Sequence, residues 1–253
     1  LIFSLNCYFA GQKMAKLKIL NVINIILCFL GMLCVNRKGE LLALLATSFL
    51  LYRDHMKKSS KKEKVKTRHM FIFAAILTAI VVAYMAQKGY LVRFYIFFNK
   101  IIRNFSKDKV DISSGRIIIW KYAIKIFKQN PVFGIGWENF SAKIPEYNID
   151  TVKVHNNFIQ LLCETGVIGF VLIALPMMML LIRTYHYMRR YLYNEQSQSI
   201  IRIAYTTSFG IQFFFFVLDF IDPCIYKMNF WPIYTISIMS LIFARTYEKN
   251  TKF

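Results

Sequence analysis

Acidic residues are scarce in this sequence: Asp and Glu number 13 against 33 Lys and Arg, a formal charge of +20. That imbalance requires anionic partners or anionic surroundings. Metal-ligand patterns are missing too. No Asp-x-Asp occurs, and the five cysteines (Cys7, Cys28, Cys34, Cys163, Cys224) and four histidines show no metal spacing. Neither a carboxylate-held divalent ion nor a zinc site is expected, and no cofactor is called for. The cysteines also lack disulfide spacing and lie mostly inside apolar blocks, as packing residues. There is no initiator Met and no signal-peptide pattern. The sequence begins within the apolar run LIFSLNCYFA, which reads as the end of a membrane helix and the chain as the C-terminal part of a longer one. Internal repeats are absent.

What the sequence has instead is apolar surface. Hydrophobic residues make up 57% and aromatics 17% of the chain, with a mean hydropathy of +0.42. This is too apolar for a soluble domain, and the apolar residues come in long blocks. The expected fold is all-α: a single polytopic membrane domain of about six full transmembrane helices plus a partial one. Its basic residues cluster between those blocks, where they set topology and meet anionic lipid. Nucleic acid is therefore not an expected partner.

Taken in order, residues 1 to 10 form the partial helix, and 17 to 35 a full span. The polar knot Asn36-Arg37-Lys38-Gly39-Glu40 then interrupts, and a shorter apolar run follows at 41 to 52. The pair reads as a helical hairpin with Arg37 at its tip. Residues 53 to 69 carry eight Lys/Arg against Asp54 and Glu63, a cytoplasmic loop by the positive-inside rule. A span at 70 to 86 leads out to a long extracytoplasmic loop, 87 to 154. Within it, 90 to 105 spaces Arg93, Lys100 and Arg103 like a helix lying in the interface. Residues 157 to 182 span back to a second inner loop, 183 to 199. Spans at 200 to 221 and 229 to 244 enclose a short outer turn with Asp219 and Asp222, and the basic tail lies inside. The long loop holds twelve Lys/Arg against five acids. An outer loop that basic calls for an anionic ligand or lipid headgroups.

Residues 113 to 170 hold the one polar constellation that a solvated loop does not explain. Ser113, Ser114 and Gly115 suit a helix start, with Arg116 in the first turn. At ~100° per residue, Lys121, Lys125 and Lys128 share one face. Arg116 falls among Ile119, Ala123, Ile126 and Phe127 on the other. The helix ends at Asn130-Pro131, a turn with Gly134 and Gly136 follows, and His155-Asn156 opens an apolar segment. The topology puts Arg37, Arg116 and His155 on the same outer side. Each has a plain explanation alone: Arg37 snorkels, Arg116 pairs with a phospholipid, His155 caps its helix. Jointly they favour a site for an anionic lipid substrate.

In order, these residues give Asn-Arg-Lys-Gly at the hairpin tip, Gly-Arg-(x)3-Trp, Asn-Pro-x-x-Gly-x-Gly, and His-Asn-(x)7-Glu-x-Gly-x-x-Gly. The set closely resembles the O-antigen ligase and O-antigen polymerase superfamily of bacterial membrane glycosyltransferases, over roughly residues 17 to 182. Where the family usually shows Ser-Arg-Gly, this chain has Asn36-Arg37-Lys38-Gly39. The resemblance implies a multi-pass enzyme of the bacterial inner membrane serving surface polysaccharide synthesis, for lipopolysaccharide or capsule. Its donor would be an undecaprenyl-diphosphate-linked glycan, and its acceptor a lipid-anchored core sugar or another carrier-linked glycan. Arg116 and Arg37 would clamp the diphosphate and His155 would take the acceptor proton, in a metal-independent displacement that inverts the anomeric centre. Trp120, Asn156 and Glu164 are expected to support them. Trp120 either stacks on sugar or anchors at the interface, while Glu164 orients an arginine or closes a helix contact. Rival readings are a protein O-oligosaccharyltransferase with the same donor, a flippase for lipid-linked glycans, and a non-catalytic membrane scaffold. A flippase requires charges at several mid-membrane positions and repeat symmetry, whereas here the charges gather at one face.

The topology is tested by cysteine substitution at Ser59 and Lys143 and labelling from outside intact cells. Lys143 should label and Ser59 should not; the reverse pattern would overturn the placement of the site.

Overall fold

The structure is a computed structural model and describes residues 38–58, 115–147, 153–192 and 199–250. All its regular elements are helical: α1 (Lys38–Lys58), α2 (Arg116–Gln129), the single turn α3 (Phe140–Lys143) with a 3-10 turn after it (Ile144–Tyr147), α4 (Asn157–Leu192), α5 (Ser199–Leu218), a 3-10 turn (Cys224–Tyr226) and α6 (Phe230–Asn250). Two described helices are long and apolar enough to cross a membrane, Asn157–Tyr191 and Ile200–Leu218, and α1 carries a shorter apolar stretch, Leu42–Leu51. The expected spans at 17–35 and 70–86, the partial helix, the interfacial helix at 90–105 and Arg37 lie outside the described residues. The helix expected at 157–182 continues through Leu192, so the first part of the expected loop 183–199 is helical. The basic side chains Arg183, Arg189 and Arg190 do not stop it, because arginine is itself a good helix former.

Helices α1, α4, α5 and α6 pack through two clusters at opposite ends. Leu51, Met188, Tyr205, Phe209 and Ala244 join the C-terminal ends of α1, α4 and α6 to the start of α5. Ala43, Phe215, Leu218, Phe230 and Tyr234 join the opposite ends. Arg189, Arg190 and Arg245 therefore belong to one end, and the turn between α5 and α6 to the other. Val171, Leu172, Leu175 and Met179 on α4, with Ile236, Met239 and Phe243 on α6, are exposed. Contiguous apolar rows of this kind form the exterior of a bundle that hydrocarbon, not water, covers. Two buried threonines inside it bond their own helix, Thr47 Oγ1 to Ala43 O (2.8 Å) and Thr184 Oγ1 to Leu180 O (2.8 Å).

Helix α4 is broken near its start. Gly166 has φ 64° and ψ −167°, so backbone groups on both sides of it lose their helical partners. The turn from Pro131 to Gly136 takes them up. Ile135 N–H donates to Cys163 O (3.2 Å) and Gly136 N–H to Glu164 O (2.8 Å). In return, Val167 N–H donates to Pro131 O (2.9 Å) and Ile168 N–H to Val132 O (3.3 Å). Four hydrogen bonds thus interlock turn and helix. The approach is so close that a Cβ at Gly134 would overlap the Glu164 carbonyl, and one at Gly166 would overlap that of Val132. Both glycines also have positive φ, which a side chain resists.

Gly134→Ala and Gly166→Ala should each lower the thermal unfolding midpoint sharply. Strain at positive φ alone costs about 1–3 kcal/mol, and the overlap adds to it. An unchanged midpoint for both would mean that the interlock is not rigid.

Candidate active site

Helix α2 is capped by Gly115, left-handed at φ 81°, whose carbonyl accepts from Ile118 N–H and Ile119 N–H (both 3.1 Å). Ser113 and Ser114 lie outside the described residues. Ile119, Ala123 and Ile126 are buried against Phe140, Ile144, Val154 and Cys163, while Lys121, Lys125 and Lys128 are exposed. Arg116 is half-buried at the helix start. One turn on, Trp120 Nε1 donates to Val154 O at 2.9 Å. That bond joins α2 to the residue before His155.

His155 itself has φ 57°, a left-handed conformation uncommon outside glycine though less so for His than for most residues. Its neighbours are tied down on every side. Val154 N–H donates to Gln160 Oε1 (3.2 Å). Asn156 caps α4, its Oδ1 accepting from Ile159 N–H (3.0 Å), while its Nδ2 donates to Phe220 O (3.3 Å). Asn157 N–H donates to Asp219 O (2.7 Å). Anchors on α2, on α4 and at the end of α5 therefore hold the backbone in a shape it would not choose.

His155 opens into a cleft of about 840 Å³ lined also by Lys153, Glu40, Asp222, Tyr226 and Lys227. Asp222 and Lys227 form an ion pair across its wall. The imidazole pKa is lowered from its ordinary value, first by burial and next by the charge of Arg116; Lys153 and Lys227 add to the effect and Asp222 opposes it. The ring is thus neutral at pH 7, a proton acceptor beside positive charge. Arg116, at the start of α2, and His155, in the segment that leads into α4, are near enough for the charge of one to act on the other. Arg37, the third expected member, lies outside the described residues.

Glu164 is fully buried. Its carboxylate accepts from Glu138 N–H (2.9 Å), Phe140 N–H (3.2 Å) and Gln160 Nε2 (3.2 Å). It closes the contact between α4 and the turn before α3.

A family model described as O-Antigen ligase matches residues 23–174, more than half of the chain. The chain belongs to the O-antigen ligase family. No curated protein matches it. Membership supports ligase- or polymerase-type action on lipid-linked glycan, in a membrane setting. The O-antigen ligase match takes in α1, α2, the interlocked turn and the first half of α4. Asp222, Tyr226 and Lys227 fall beyond it, and with Lys153 and Glu40 they are the cleft residues that sequence reasoning did not single out. Asp222 carried a weak signal as an acid in a short outer turn; Lys227 and Tyr226 carried none.

Because folding favours the neutral ring, the stability that His155 contributes is present above the ordinary imidazole pKa and is lost as pH falls below it through the lowered value of the folded state. Arg116→Gln removes one of the charges that lower the pKa. Titration of labelled His155 by NMR should then give a higher pKa than in the parent, and an unchanged value would separate the two residues.

Proposed function

We propose that this O-antigen ligase family member moves a glycan from an undecaprenyl-diphosphate carrier to an acceptor hydroxyl at the outer face of the cytoplasmic membrane. The observation that supports this reading most is the neutral His155 imidazole, held in an open cleft within reach of the Arg116 charge. A hydroxyl entering the cleft gives its proton to His155 as its oxygen attacks the anomeric carbon. The bond from that carbon to the diphosphate oxygen breaks, and the electron pair leaves on the lipid diphosphate. Arg116 meets the growing negative charge, with Arg37 as its expected partner, and a planar guanidinium suits the task since it grips two oxygens at once. Displacement in one step inverts the anomeric centre. No step requires a metal ion, because arginine supplies the positive charge. The imidazolium then returns its proton to water through the open side of the cleft.

The named charges on the cleft wall balance, Lys153 and Lys227 against Glu40 and Asp222, and Lys227 is paired with Asp222, so the charge that meets the diphosphate is that of the arginines. The acceptor is a lipid-core sugar for a ligase or a second carrier-linked glycan for a polymerase.

Transfer of carrier-linked glycan in vesicles tests the mechanism. His155→Ala should reduce turnover by ~10²–10⁴-fold and leave donor binding close to the parent's. Arg116→Lys should weaken binding and turnover together, since a point charge does not replace a two-pronged donor. The acid limb of the parent's pH profile should fall below the ordinary imidazole range. Full activity in His155→Ala would remove the base, and loss of activity with a chelator would replace the arginine clamp with a metal.

A further inference from the structure

We propose that Trp137 is a carbohydrate-stacking platform at the mouth of the His155 cleft, taking a pyranose ring of the glycan beyond the sugar that reacts. The proposal rests on the glycan-transfer reading above and adds to it a second contact, away from the diphosphate.

The starting observation is an exposed aromatic where burial is available. Trp137 is 44% exposed, yet its ring stacks on Tyr226 with centroids 4.4 Å apart and planes at 24°. Tyr226 lines the cleft together with His155. One face of Trp137 thus rests on a residue of the cleft wall, which sets the indole beside the cleft. The two residues come from distant parts of the chain, the turn before α3 and the turn between α5 and α6.

The platform is also held still. On one side of Trp137, Gly136 N–H donates to Glu164 O (2.8 Å). On the other, Glu138 N–H donates to Glu164 Oε2 (2.9 Å). Glu164 is fully buried, so both flanks of Trp137 are fastened to one immobile residue of α4. A preset aromatic loses little side-chain freedom when a ligand arrives. Its chemistry selects a sugar: the C–H face of a pyranose presents slightly positive hydrogens to the negative face of the indole. The exposed Glu138 next to it offers acceptor oxygens to sugar hydroxyls. The same geometry explains why the ring is left open although Ile135 and Phe140, on either side of it in sequence, pack against the buried cluster under α2.

Phe133, 75% exposed, and Val132, 49% exposed, belong to the same turn, and a turn dipping into lipid is the competing occupant. The experiment uses the full protein in vesicles and two donors, the complete carrier-linked glycan and a carrier bearing a single sugar. Trp137→Ala should lower kcat/KM by roughly 3–10-fold, the value of one aromatic contact, for the complete glycan. Turnover of the single-sugar donor should not change, and Trp137→Tyr should recover most of the loss. In a parallel measurement, the fluorescence that distinguishes the parent from Trp137→Phe should respond to the complete glycan and not to brominated lipid. Equal losses with both donors, or no loss with either, would overturn the platform. Quenching of that fluorescence by brominated lipid would overturn it in favour of a membrane anchor. A parent inactive on every carrier-linked glycan would instead sink the transfer reading, and the fluorescence response to added glycan would still decide whether Trp137 meets sugar.

Discussion

A broken helix must find new partners for the backbone groups it releases, and in this protein the turn beside the site takes its position from how that is done. A backbone amide or carbonyl left bare in hydrocarbon costs several kcal/mol. The left-handed Gly166 opens α4, and the turn from Pro131 to Gly136 closes it again with hydrogen bonds in both directions. Only glycine at 134 and 166 allows the two backbones to come so near. Once docked, the turn fixes where Glu138 and Phe140 point their amides, and Glu164 is waiting for both. The position of α3 and the packing beneath α2 depend on that same contact.

The segment at His155 is built on a different plan. Its conformation is unfavourable by itself and is held by side chains reaching in from elsewhere: Trp120, Gln160 and Asn156 each bond a backbone group beside it or across to the α5 end. The result is a ring at a mouth, not in a core, with its proton affinity lowered by burial and by a guanidinium on a neighbouring helix. Position and electrostatics come from one arrangement. Helix α2 supplies the Trp120 anchor and the Arg116 charge, one turn apart, so it cannot move without altering both.

Local signals in the sequence were strong where local physics decides. The period of α2, with Ile119, Ala123 and Ile126 inward and Lys121, Lys125 and Lys128 outward, is present in the order of its residues. So is its end at Asn130-Pro131, since proline admits no continuation. Gly134 and Gly136 were legible as a turn, but Gly134 and Gly166 not as two halves of one contact, because nothing in Asn-Pro-x-x-Gly-x-Gly says which backbone it will meet. Lys227 and Tyr226 were invisible as cleft residues for a similar reason. They lie some 70 residues beyond His155 and reach it only because α4 and α5 fold back on each other. The first part of the loop expected at 183–199 continues as helix, with Arg183, Arg189 and Arg190 exposed on a stretch whose Met188 and Tyr191 are buried in the bundle.

The order of the interlock along the chain has its own consequence. The turn that completes α4 is synthesised before α4. Gly134 N–H bonds locally to Asn130 O, but the amides of Ile135 and Gly136 and the carbonyls of Pro131 and Val132 find their partners only when Cys163 to Ile168 arrive. Helix α4 in turn cannot settle into lipid with its break uncovered. Docking of the turn therefore depends on a helix that follows it in the chain, and the segment from Pro131 to Gly136 completes its backbone bonding only once that part of α4 is in place.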